Sequence, residues 1–161
     1  MGDRLHQLSL QLGQQLRQRN WRVATAESCT GGGVAAAITA IAGSSEWFEY
    51  GVVSYANSAK VKLLGVSEES LAHEGAVSEV VVLEMVRGLL ILSGAEIAVA
   101  ISGIAGPGGG SPEKPVGSVW FAWGAATGEI RTELKRFSGD RQSVQAQAVL
   151  WAFEGCLTLL K

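Results

Sequence analysis

Histidine, cysteine and one-sided charge are all scarce in this chain of 161 residues. The two cysteines, Cys29 and Cys156, cannot build a disulfide framework or a four-thiolate zinc site. The two histidines, His6 and His73, stand in polar helical patterns, and neither has a neighbour at metal-ligand spacing. No metal and no cofactor are expected, and a reducing, cytoplasmic setting is the simplest reading. Lys and Arg number 13 against 15 Asp and Glu, a net charge of −2 that offers no clustered basic surface to a nucleic acid. A small anion needs only a local site, so that class stays open. No apolar run approaches the roughly 18 residues of a membrane span. The opening MGDRLHQLSLQLGQQLRQRN is polar and amphipathic, unlike a signal peptide, and His6 stands where a myristoylation signal has Ser or Thr. No membrane partner is expected.

What is present is enough for a core. The chain is 47% hydrophobic and 17% charged, which predicts one ordered domain over residues 1–161. Leu5, Leu8, Leu12 and Leu16 recur at helical spacing and predict a helix over 3–19. WRVATA (21–26) reads as a buried strand, and the Ala-rich stretch from Thr30 to Ala42 as a helix. A connector, AGSSEWFEYG, leads to a second strand over 51–55. Asn57 or Ser58 is a candidate cap for a short helix carrying Lys60 and Lys62. Ser67 caps another, which Gly75 ends, and Ser78 caps a long apolar one. EIAVAIS (96–102) is nearly all apolar, as a central strand buried on both faces should be. After a Gly/Pro loop come strands over 118–125 and 130–137, joined as a hairpin. Asp140 caps a last helix to Leu160. Helices alternate with strands first and a hairpin comes late, which predicts a three-layer α/β/α sandwich on a mixed, mostly parallel sheet of about five strands.

Four stretches could carry chemistry. AESCTGG (26–32) sits at a strand-to-helix junction, where helix N–H groups suit a phosphate or an oxyanion and glycines let a ligand approach. The same residues would also serve as a plain helix cap. Cys29 has no evident histidine partner and reads as a packing residue. SGIAGPGGGSPEKPVGSVW (102–120) holds all three prolines and begins at the end of the most buried strand, again the ligand-bearing edge. GSSEWFEYGVVSYANSAK (43–60) offers Ser44, Ser45, Tyr55 and Lys60, and Tyr55, five residues before Lys60, could relay or donate a proton. A serine with a neutral lysine can perform acyl transfer if burial depresses the lysine pKa. In GDRQSVQ (139–145), Arg141 could clamp a phosphate or carboxylate, or merely pair with Asp140.

Together AESCTGG, IAGSSEWF, GVVSYANSAK, SGIAGPGGGSPEKPVGSVWF and FSGDR, in this order, resemble the CinA C-terminal domain family. The resemblance spans about residues 20 to 145. It implies an α/β/α sandwich, and its enzymatic members are nicotinamide-nucleotide amidases. That activity is hydrolysis of the carboxamide of nicotinamide mononucleotide to nicotinate mononucleotide and ammonia, in pyridine-nucleotide (NAD) recycling. Full-length CinA proteins carry an additional N-terminal domain, for which this length leaves no room, so the stand-alone form is expected. Carried over by position, the catalytic residues are Lys60 with Ser28 or Ser45, and Tyr55 beside them. Ser28 has the better electrostatic address, at a helix N-terminus. Ser45 is nearer in sequence to Tyr55 and Lys60. Ser28 is ranked first, and the choice stays open. Glu27, Thr30, Gly31, Gly32, Ser102, Gly103, Gly106, Gly108, Gly109 and Arg141 are the expected substrate-binding positions. The rival from another class is a non-catalytic pyridine-nucleotide binder of the competence or damage-inducible type. A pyrophosphatase is disfavoured, because no carboxylate cluster would hold its metals. Five tryptophans, with Trp47 in a connector, suggest an exposed apolar patch and a homodimer.

Overall fold

The computed structural model describes residues 2–161. The amphipathic N-terminal segment forms α1 (Gly2–Arg19), which buries Leu8, Leu12 and Leu16. There follow β1 (Val23–Glu27), α2 (Gly33–Thr39), a short 3-10 turn (Ser44–Glu46), β2 (Phe48–Val53), α3 (Asn57–Leu64), α4 (Glu68–Glu74) and α5 (Glu79–Ser93). The second half holds β3 (Ile97–Gly103), β4 (Ser118–Ala125), β5 (Ile130–Arg136) and α6 (Arg141–Leu159). The element order is the expected one, with boundaries shifted. β2 begins three residues before the predicted strand, and α2 is shorter than predicted at both ends. The cap of α3 is Ala56, not Asn57 or Ser58, and no side chain closes that end. Ser67, Ser78 and Asp140 do cap α4, α5 and α6, each accepting a backbone N–H.

The five strands lie in the order β2-β1-β3-β4-β5. β1 pairs in parallel with β2 and β3, while β4 runs antiparallel to both β3 and β5. Only β4 is therefore reversed, which makes the sheet mixed and mostly parallel. The two faces differ in side-chain size. Ile97, Val99, Ile101, Phe121 and Trp123 meet α1, α2 and α6. Ala24, Ala26, Ala98, Ala100 and Ala122 leave a shallow face onto which α5 settles with Val81, Val82, Met85, Val86 and Leu89. Period-two alternation of large and small residues thus sets how closely each helical layer approaches. A Cβ added to Gly155 of α6 would stand 1.9 Å from the Trp123 indole, so this position must lack a side chain.

Trp47 does not form a surface patch. It is fully buried, packed against Gly13 of α1, and lends nothing to the expected dimer surface. No described helix is long and apolar enough to cross a membrane.

Chain direction positions the site. From β1 the chain goes out to β2, and from β3 it returns the other way to β4. The carboxyl ends of β1 and β3 thus flank a switch point, where such sheets leave a crevice open to a ligand.

Candidate active site

The chain leaves β1 at Ser28, whose N–H still bonds to Ile101 of β3 (3.0 Å). It then turns through Gly31 and Gly32, both with positive φ (58° and 99°), into α2. Beneath this turn lies Glu27, with only 1% of its surface exposed. Its carboxylate accepts from the Thr30 hydroxyl (2.7 Å) and from the N–H groups of Val34 (2.8 Å) and Ala35 (3.0 Å). The α2 N-terminus is thus already neutralised by the protein's own acid. This corrects the expectation of an anion cradle there. Glu27, Thr30, Gly31 and Gly32 shape the turn, and none of them lines the cleft.

Lys60 comes from the first turn of α3 and is 1% exposed. Its Nζ lies 3.1 Å from Ser28 Oγ, 2.9 Å from the Ser54 carbonyl and 3.0 Å from the Tyr55 carbonyl. Burial pulls its pKa below the ordinary lysine value, against a weaker opposing influence from Cys29. Among the described residues it forms no ion pair. Its three donations thus go to two backbone carbonyls and the Ser28 hydroxyl oxygen, and the Ser28 hydroxyl in turn faces the Tyr55 carbonyl at 3.4 Å. Cys29, beside the serine, has its thiol pushed up to about 12 by burial, so it is no thiolate nucleophile.

Ser28 and Lys60 sit on the wall of a cleft of about 290 Å³. Ser102, Gly103, Gly106, Gly108, Gly109, Tyr55 and Arg141 line it with them. Arg141, the first residue of α6, donates to the Gly106 carbonyl (2.7 Å) and to the Tyr55 phenol oxygen (3.2 Å). Tyr55 therefore reaches Lys60 through its carbonyl, while its ring stands at the rim, 60% exposed. A proton relay through its phenol, expected from the spacing, has no geometry here. The N–H groups of Cys29, Thr30, Gly106, Gly108 and Gly109 donate to no protein acceptor among the described residues.

Ser45 is elsewhere. It lies in the 3-10 turn before β2, beside Trp47, whose carbonyl accepts from the N–H of Val23 at the start of β1. The length of β1, about 15 Å at ~3.3 Å per residue, separates it from Ser28. Sequence reading placed Ser45 as a rival nucleophile because it lies near Lys60 along the chain, but β2 runs between them. Besides Cys29, five wall residues were not among the expected positions. Asn57 carried only a capping signal, and Ala76, Val77, Ile104 and Ala105 have no chemistry to announce them.

Known proteins resemble this chain over nearly its whole length. The family model of the CinA C-terminal domain matches residues 5–160. A nicotinamide-nucleotide amidohydrolase PncC of Escherichia coli K12 is 59% identical over 150 residues, 93% of this chain and 91% of that protein. A protein of the same name from Pseudomonas putida is 52% identical over 157 residues, 98% of each chain. Among solved structures, the competence/damage inducible protein CihA from Agrobacterium tumefaciens superposes with a TM-score of 0.97 at 42% identity, over 98% of this chain and 96% of that one. A match over nearly every residue, in sequence and in backbone, leaves one assignment: the chain belongs to the CinA C-terminal domain family.

Proposed function

We propose that this protein hydrolyses the carboxamide of nicotinamide mononucleotide, yielding nicotinate mononucleotide and ammonia, by serine/lysine chemistry. The observation that carries the mechanism is the buried Lys60 amine, 3.1 Å from Ser28 Oγ at the wall of the cleft. The activity itself is supported by the printed names of the full-length relatives.

The steps follow from the geometry. The Ser28 hydroxyl gives its proton to the Lys60 lone pair as Oγ attacks the carboxamide carbon. The developing oxyanion turns to the N–H of Cys29, the residue after the nucleophile, which donates to no backbone carbonyl among the described residues. The tetrahedral intermediate collapses, the C–N bond breaks, and the Lys60 ammonium returns its proton to the leaving nitrogen, which departs as ammonia. Water, deprotonated by the neutral Lys60, then attacks the acyl ester. The C–Oγ bond breaks, Oγ recovers the proton from the Lys60 ammonium, and nicotinate mononucleotide is released. The Ser54 and Tyr55 carbonyls hold the amine on Ser28 in both protonation states. The phosphate goes to the part of the cleft lined by Arg141 and by Gly106, Gly108 and Gly109, whose N–H groups donate to no backbone carbonyl among the described residues. It does not go to the α2 N-terminus, whose donors Glu27 already occupies.

The test is ammonia release from nicotinamide mononucleotide by the purified protein, before and after exhaustive chelation. Equal turnover in both is expected. Tight binding without ammonia would instead favour a non-catalytic nucleotide binder, and loss of turnover on chelation would refute the metal-free mechanism.

A further inference from the structure

The Gly/Pro loop between β3 and β4 is tied down at its base and bridged at its tip. At the base, Ile104 N–H donates to the Ser118 carbonyl (2.9 Å) and Gly117 N–H to the Ile104 carbonyl (2.7 Å). At the tip, Ser111 and Lys114 close a turn. Ser111 N–H donates to the Lys114 carbonyl (2.9 Å), and Lys114 N–H donates to Ser111 Oγ (3.1 Å). The Lys114 ammonium then leaves the loop and donates to the carbonyl of Glu74, the last residue of α4.

That carbonyl belongs to a different segment of the cleft wall. Glu74 is followed by Gly75 and then by Ala76 and Val77, which line the cleft together with Gly106, Gly108 and Gly109. The lysine, in a neighbouring hollow shared with Glu74 and Val77, thus ties the loop to the segment that leads into this wall. Both ends suit the contact. The end of a helix presents carbonyls without internal partners, and these favour a cation. Gly75, with φ +76°, also leaves room, since a Cβ there would stand 3.2 Å from Lys114 Nζ. Among the described residues no carboxylate pairs with Lys114. The Glu74 carbonyl is its one recorded side-chain partner.

We propose that Lys114 is a positioning residue, a strap that holds the glycine loop to the segment after α4 so that its N–H groups meet the anionic end of the substrate. This rests on the substrate reading above. The strap touches neither the scissile bond nor the Ser28–Lys60 pair, so it acts on binding and not on the chemical step.

Lys114→Ala and Lys114→Arg test it, with hydrogen–deuterium exchange and steady-state kinetics on nicotinamide mononucleotide. In Lys114→Ala the amides of residues 105–113 should exchange faster while those of β1 and β3 stay protected. KM should rise about tenfold, the scale of one hydrogen bond to a charged group, with kcat within about twofold. Lys114→Arg keeps a cation able to reach the carbonyl and should recover most of both effects. Unchanged exchange in the loop would overturn the proposal, as would a loosened loop with unchanged KM, or a fall in kcat at constant KM. If the wild-type protein released no ammonia, the substrate reading would fail on its own. The exchange measurement, repeated with nicotinamide mononucleotide added, would still decide the strap.

Discussion

Replacing Lys60 by Met should cost nearly all activity while leaving the fold in place. Met nearly matches the length and volume of the lysine side chain, so the buried slot stays filled. Only the Ser54 carbonyl loses its sole side-chain donor, because the Tyr55 carbonyl keeps the Ser28 hydroxyl at 3.4 Å. That loss is worth about 1–3 kcal/mol of stability and is opposed by no longer burying an amine. The effect on rate is larger. Among the described residues no other base lies within hydrogen-bond reach of Ser28 Oγ, so removing the amine removes general-base catalysis, about 10²–10⁴-fold. This corresponds to about 3–5 kcal/mol of barrier. The assay is ammonia release from nicotinamide mononucleotide by Ser28→Ala, Lys60→Met and the double variant, with a thermal melt for each. Because both groups serve one step, the double variant should be no slower than the worse single one. Lys60→Arg should be as inactive as Lys60→Met, since a guanidinium never offers a lone pair. Ser45→Ala is the control and should stay within about twofold, as a surface substitution. The reasoning is refuted if the losses of the two single variants multiply in the double one, or if Lys60→Met keeps more than about a tenth of the rate.

Two further outcomes follow from the same geometry. In the proposed mechanism the base form of Lys60 is the active one, so kcat/KM should rise with pH through a midpoint below the ordinary lysine value of 10.5, because burial disfavours the ammonium. A pH–rate profile with its ascending limb centred at or above 10.5 would contradict the burial argument. Glu27→Ala should destabilise the fold by about 3–5 kcal/mol in urea titration, since it strips a buried carboxylate from the Thr30 hydroxyl and two N–H groups of α2. A loss below about 1 kcal/mol would show that water replaces the carboxylate there.

Local signals in the sequence were enough for most of the architecture. The leucine spacing of α1 and the apolar run of β3 are periodic patterns, and Ser67, Ser78 and Asp140 cap through their own neighbouring N–H groups. Such features depend on a few adjacent residues, so the chain carries them openly. The α2 boundary was misread because Ala-rich composition favours helix as far as Thr30, while the positive φ of Gly31 and Gly32 delays its start to Gly33. Trp47 looked exposed because a connector usually is, yet α1 leaves a slot for it at Gly13.

The amino-acid sequence by itself determined which residue types were available for chemistry: a serine at a strand-to-helix turn, a lysine in a short helix, a glycine loop and an arginine at a helix start. Tertiary structure decided which of them come together. A linear reading ranks Ser28 only narrowly above Ser45, but strand direction carries one to the crevice and the other to the opposite edge. Lys60 is an ordinary cation until α3 seals it against two carbonyls and a hydroxyl, and only that burial makes its neutral form accessible. Glu27 could have been a ligand for substrate, but the turn folds it under α2 and commits its oxygens there. Covalent sequence is local, whereas burial, charge state and the meeting of residues 32 positions apart arise only when the strands are laid side by side.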